Sequence, residues 1–143
     1  MRKQTLFLLF LGALTIAVVG GCAAKADLVA IKLPGSGTDP IAYCDLDDNG
    51  DLLITVKNQG TKTAGSTTTD VLFTSLRTGV VGVSLYTPAL RSGQASILEP
   101  IDLDDLPSSC FQPDCHFTIT IDYSVDVDES NEENNTAEGY CLG

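Results

Sequence analysis

The chain has no tryptophan, one methionine and a single histidine, His116, and only 6% of its 143 residues are aromatic. Few flat platforms are therefore on offer for stacking sugars or bases. One histidine and no G-x-S-x-G segment leave no serine-histidine-acid arrangement on a nucleophile elbow. No glycine-rich phosphate loop is present. Basic residues are also scarce, 8 Lys and Arg against 19 Asp and Glu, for a formal charge of −11. Such a surface repels phosphate backbones and excludes nucleic acid as a partner. No helical periodicity follows the first 21 residues, so a helical bundle is not expected. No CxxC pair exists, which argues against zinc despite His116 beside Cys115.

What the chain does have begins at its first residues. Arg2 and Lys3 precede an uncharged apolar run from Leu6 to Val19, and Gly20 and Gly21 lead into Cys22. The run is short for a bilayer span, which needs about 20 apolar residues. A cationic start, a short apolar core and a small-residue end fit a cleaved segment better than a transmembrane helix. Val19-Gly20-Gly21-Cys22 resembles the lipobox of a bacterial lipoprotein rather than a plain secretory signal. The resemblance implies cleavage before Cys22, acylation of that cysteine and membrane attachment through the lipid. Residues 1–21 are then a signal peptide, 22–25 a short tether and 26–143 the domain. In a Gram-negative host, Ala23 after the cysteine resembles default sorting to the outer membrane. Removing residues 1–21 takes Arg2 and Lys3 and no acid, so the charge moves from −11 to −13. Contact with anionic headgroups must then come through the anchor.

Four further cysteines, Cys44, Cys110, Cys115 and Cys141, read as a disulfide framework in an exported chain. Three pairings are possible. Cys110 and Cys115 can close locally over a Pro-containing turn, which leaves Cys44 with Cys141. A loop of that length contributes on the order of 4–5 kcal/mol in the chain-entropy view.

Strand signals then recur. Leu28–Leu33 alternates, with Val29, Ile31 and Leu33 on one face. Leu52, Ile54 and Val56 form a second apolar face, ended by Asn58-Gln59-Gly60. Thr67–Thr74 is β-branched, with Val71 and Phe73 inward. Val80–Tyr86 stops at Pro88, Gln94–Ile101 is weaker, Phe117, Ile119 and Ile121 mark a strong strand, and Thr136–Cys141 closes the series. About seven short strands predict an all-β, immunoglobulin-like antiparallel β-sandwich. The absence of tryptophan and the cysteine positions rule out an antibody-type core.

Three pieces of sequence carry a family resemblance. Val125-Asp-Val-Asp-Glu-Ser-Asn-Glu-Glu-Asn-Asn-Thr-Ala137 holds an acidic turn of the form E-x-N-E-x-N-N, filled by Glu129, Asn131, Glu132, Asn134 and Asn135. Ile54-Thr-Val-Lys-Asn-Gln-Gly60 and Ala26-Asp-Leu-Val29 are the others. Together they resemble CARDB, the cell-adhesion-related domain of bacteria. The resemblance implies an extracellular adhesion, binding or spacer module with no catalytic residues, and a protein or glycan partner.

Asp45-Leu-Asp47-Asp-Asn49-Gly50-Asp51 has the D-x-D-x-N-G spacing of the first half of a calcium loop. The twelfth position is Val56, where a bidentate Glu would stand. A polar turn leading into a strand accounts for the same residues. The acids Asp126, Asp128, Glu129, Glu132 and Glu133 read as a solvated hairpin tip, or as a second cation cluster. The expectation is a lipid-anchored, non-catalytic surface module of the cell envelope with no cofactor. A module stiffened by Ca2+ at Asp45, Asp47, Asn49 and Asp51 is the alternative. A small hydrolase using paired carboxylates is the third reading.

Overall fold

The computed structural model describes residues 23–32, 43–75, 79–104, 106 and 114–142. The expected signal segment, Cys22 and Cys110 lie outside them. Among the described residues no helix is long and apolar enough to cross a membrane. The strands are β1 (Leu28–Ile31), β2 (Asp45–Leu46), β3 (Leu52–Leu53), β4 (Thr55–Asn58), β5 (Thr67–Ser75), β6 (Gly79–Thr87), β7 (Ala95–Ile97), β8 (Asp114–Thr120) and β9 (Thr136–Leu142).

Two antiparallel sheets make the sandwich. One has the order β1-β4-β7 and the other β6-β5-β8-β9, while β2 and β3 form a separate small hairpin. The seven strands of the two main sheets match the expected immunoglobulin-like architecture. The β2–β3 hairpin is an addition, built around the Asp47–Asp51 turn.

Alternation dictates which side chains fill the space between the sheets. Leu52 on β3, Ile54 between β3 and β4, and Val56 on β4, together with Val71, Phe73, Phe117 and Ile119 on the four-stranded sheet, are all buried. The Phe73 and Phe117 rings face each other across the β5–β8 register, with centroids 5.7 Å apart. Burying each large aliphatic side chain contributes about 1.5–3 kcal/mol. Gly139 lies opposite Phe117 on β9. A Cβ there would stand 2.5 Å from the Phe117 ring, so the bare backbone is what lets that ring seat.

The first strand buries the face opposite to the one that carries Val29 and Ile31. Ala26 and Leu28 are buried and Ala30 packs against the core, whereas Val29 and Ile31 are only half-buried. The inward phase is therefore the opposite one, and Leu33 lies outside the described residues. The phase is set by Ala26, which bridges Glu129 and whose carbonyl accepts from Ser130 N–H at 2.8 Å. A one-residue offset turns every side chain over.

Cys44 and Cys141 are joined, with Cα atoms 5.2 Å apart and a sequence separation of 97. The bond ties the end of β9 to the chain just before β2. Cys115 is also disulfide-bonded, while its expected partner Cys110 is outside the described residues. None of the three is therefore a thiolate open to zinc. Replacing Cys44 and Cys141 together by serine is expected to cost about 2–5 kcal/mol, read as a lower denaturant midpoint.

Candidate functional site

The residues of the acidic turn and of the Asn58–Gly60 strand end meet at one pole, around the segment Lys25–Leu28. Asn58 is fully buried and uses its whole hydrogen-bonding capacity. Its Nδ2 donates to Lys62 O at 2.8 Å and Leu90 O at 2.9 Å, and its Oδ1 accepts from Asp27 N at 3.2 Å and Gly60 N at 3.0 Å. Gln59 N–H donates to Asp27 O, and Thr61 N–H to Lys25 O, both at 2.8 Å. Gly60 is required by close approach. A Cβ on it would lie 2.5 Å from the backbone of Lys25, Ala26 and Asp27. Lys25, assigned from sequence to the tether, thus belongs to the domain.

The other side of the segment is held by the closing loop. Glu129 is buried, and its Oε2 accepts a very short hydrogen bond from Leu28 N–H. Its Oε1 accepts from Asn135 Nδ2 at 3.0 Å. The exposed Glu132 accepts from Glu129 N–H at 3.1 Å and from Asn135 Nδ2 at 3.4 Å. Asn131 Oδ1 accepts from Glu133 N–H at 3.1 Å, an Asx turn, and Asn134 Nδ2 donates to Asp27 Oδ1 at 2.9 Å. Lys25 Nζ reaches Asp128 Oδ1 at 2.5 Å and the Glu129 carbonyl at 3.3 Å.

Asp122 joins this group from the end of β8. It is 3% exposed, and its carboxylate accepts from Thr67 Oγ1, from Asp126 N–H at 2.9 Å and from Val127 N–H at 3.0 Å. Residues 122–127 wrap around that one side chain. The wrapping holds Asp122 at φ 50° and Val125 at φ 55°. A β-branched residue there is strained, and Val125 is exposed, so the local network rather than packing keeps it in place. Asp122, Glu129 and Glu132 each offer an oxygen within 4.8 Å of the others. Burial pushes the Glu129 carboxyl up to about 7, with Glu132 and Asp122 adding to it and the Leu28 N–H and Asn135 amide pulling the other way.

The loop singled out for calcium is arranged differently. Asp45 sits buried on β2. The carboxylate of Asp47 is taken by backbone, with Asn49 N–H at 2.8 Å and Asp51 N–H at 3.0 Å on the same oxygen. The Asp51 bond holds the Asp47 carboxyl below its usual range. Asp45, Asp47 and Asp51 do not come together as a three-carboxylate group among the described residues. The local geometry is that of an Asx turn, with Asn49 on its outer side. His116 is exposed on β8 and stacks on Tyr140, with ring centroids 5.6 Å apart.

Sequence reasoning placed Glu129, Glu132 and Asn135 in one motif but missed Asp122. Its only sequence signal is an acid directly after the Phe117–Ile121 alternation. The acids are also not uniformly a solvated tip, because Glu129 is buried while Asp126, Asp128, Glu132 and Glu133 are exposed.

Two outcomes follow from this geometry. Asn58→Ala leaves two carbonyls and two N–H groups without their side-chain partner, and each buried orphan costs about 1–3 kcal/mol. The variant is expected to lose at least about 3 kcal/mol in equilibrium denaturation. The folded-state pKa of Glu129 lies above its unfolded value. Its protonated form therefore favours the fold, fully so below the unfolded pKa near 4.5, and that contribution fades as pH rises toward about 7. Melting in buffer free of divalent cations is expected to drop over that interval, and Glu129→Gln to flatten the drop.

A family comparison agrees with this arrangement. The chain matches CARDB over residues 47–139, a span that includes Asn58, Gly60, Asp122, Glu129 and Asn135. No curated protein and no solved structure matches it. With nearly two thirds of its length matched, and the strand-end and acidic-turn residues closing one pole of a β-sandwich, the chain is a member of the CARDB family, an adhesion-related domain.

Proposed function

We propose that this protein is an exported, lipid-anchored and non-catalytic module of the cell envelope, attached through Cys22 and presenting its CARDB domain for adhesion, binding or spacing. One observation carries the reading. The segment Lys25–Leu28, three residues beyond Cys22, is gripped on both sides by backbone and side-chain hydrogen bonds. A lipid on Cys22 would then hold a rigid body rather than a floppy leash. Two or more acyl chains give stable anchoring where one is marginal.

The pole carrying Glu129 and Asp122 would face the membrane, and the Cys44–Cys141 end would face outward. Asp47, Asp51, Asp102 and Asp104 lie at the outward end, where partial desolvation and then mutual repulsion raise the Asp51 carboxyl. A cationic protein face or a glycan bearing amines is the partner chemistry that such an end would attract. The disulfide-bonded cysteines fit an oxidising exterior.

Metabolic labelling with palmitate is expected to mark the wild-type chain and not Cys22→Ala, with the variant released to the soluble fraction. Equal labelling of both would overturn the anchor. Capture of envelope proteins or glycans on the immobilised chain, competed by free chain, would support binding. Absence of any saturable partner would leave spacing as the role.

A further inference from the structure

A free strand edge is a row of unpaired N–H and C=O groups that another strand can meet, and proteins ordinarily blunt it. The two main sheets end in four edge strands, β1, β7, β6 and β9. Three of them are guarded. β1 has four residues and lies between the charges of Asp27 and Lys32. β7 has three and is closely followed by Glu99 and Pro100. β9 carries Glu138 and is tied through Cys141 to Cys44. β6 has none of these devices. It runs for nine residues, Gly79–Thr87, without a charge or a proline. Its register with β5 is unbroken over the whole length, so no bulge turns the edge away. Among the described residues, no strand or loop backbone bonds to its outer side.

The same edge exposes apolar side chains. Val80 is 64% exposed and Tyr86 70%. Both alternate onto the outward face of the sheet, where Leu72 of β5, also exposed, stands opposite Gly82. A Cβ on Gly82 would lie 3.1 Å from the Leu72 side chain, so that side chain leans over the glycine toward the edge.

The occupant follows from the order of residues in β6. About Val83 the strand reads nearly the same in both directions. Gly82 and Ser84 are small, Val81 and Leu85 turn toward the core, and Val80 and Tyr86 are exposed. We propose that β6 is the docking edge for β6 of a second copy of this chain, antiparallel and centred on Val83. That register sets Val80 of each chain opposite Tyr86 of the other, an aromatic and β-branched pair on each side of the two-fold axis. It joins the two four-stranded sheets into one. Charge favours the same place. The chain carries −11 overall, but β6 brings no carboxylate to the contact. The carboxylate beside it, Asp70 opposite Ser84, would be separated from its copy by three strand spacings, about 14 Å. That exceeds the physiological screening length of about 8 Å. Thr87 pairs with Thr67, which donates to Asp122 at the N-terminal pole, so antiparallel docking sets the two N-terminal poles at opposite ends. Resting on the anchored reading above, the second copy then belongs to a facing membrane rather than to the same one.

Sedimentation equilibrium of the full chain in detergent is expected to show a monomer–dimer equilibrium with a dissociation constant between about 1 μM and 1 mM, weak because an edge contact is small. Val80→Lys combined with Tyr86→Lys sets lysine opposite lysine twice, at positions exposed in the single chain. That variant is expected to melt like wild type in dilute solution yet dimerise at least about tenfold more weakly. Val80→Glu combined with Tyr86→Glu is expected to behave alike, and a mixture of the two variants to recover dimers. A wild-type monomer at every concentration up to about 1 mM, which would leave the edge to a foreign strand, would overturn the docking. So would undiminished dimers in the lysine variant, or a mixture that stays monomeric. Dimers that form equally in Cys22→Ala, with no palmitate on the wild type, would remove the anchor and uphold the docking. Phosphatidylcholine vesicles carrying the acylated chain are expected to clump, and those carrying the lysine variant to stay dispersed. Dimers in detergent without clumping would overturn the facing arrangement.

Discussion

The structure depends on sealing one short stretch of backbone, Lys25–Leu28, into the end of a sandwich. That stretch reaches β1 with its amides and carbonyls facing protein rather than water. Unpaired, they would cost as much as several lost hydrogen bonds. Asn58 from one side and Glu129 from the other supply the missing partners. Gly60 removes the Cβ that would hold the two chains apart. The position of Ala26 then sets the phase of β1, and the phase of β1 decides which of its side chains enter the core.

The same solution creates the unusual chemistry of the molecule. A carboxylate is a strong acceptor for a backbone N–H, but taking it out of water disfavours its charge. Glu129 accepts that cost beside Asp122, which organises residues 122–127 by the same means. The pole is therefore held by acids used as backbone acceptors, in a chain that already carries excess negative charge. A proton on Glu129 relieves the strain.

Much of the architecture was legible from alternation alone. Ile54 and Val56, Val71 and Phe73, and Phe117 and Ile119 face the core because period-two burial leaves no other arrangement. The Cys44–Cys141 bond was legible from the even set of four cysteines and from the local closure open to Cys110 and Cys115. The acidic turn was visible as a motif, yet its interior was not. Glu129 and Glu132 are three residues apart and both acidic, but one is buried and the other exposed. Only the approach of β1 makes that difference. Asp122 was invisible as a partner because it lies seven positions before Glu129 across an irregular loop. The D-x-D-x-N-G spacing drew attention to Asp45–Asp51, where the carboxylate of Asp47 serves its own turn.

By itself, then, the order of residues determined an all-β fold, the inward faces of its long strands, one crosslink and a family turn. These are local or pairwise consequences of alternation, cysteine chemistry and turn propensity. Tertiary structure alone decided which acids are buried, which strand phase β1 adopts and which residues distant in the chain share a site. Burial is a property of the assembled pole, where Lys25–Leu28, Asn58, Asp122 and Glu129 meet, and no stretch of sequence contains that meeting.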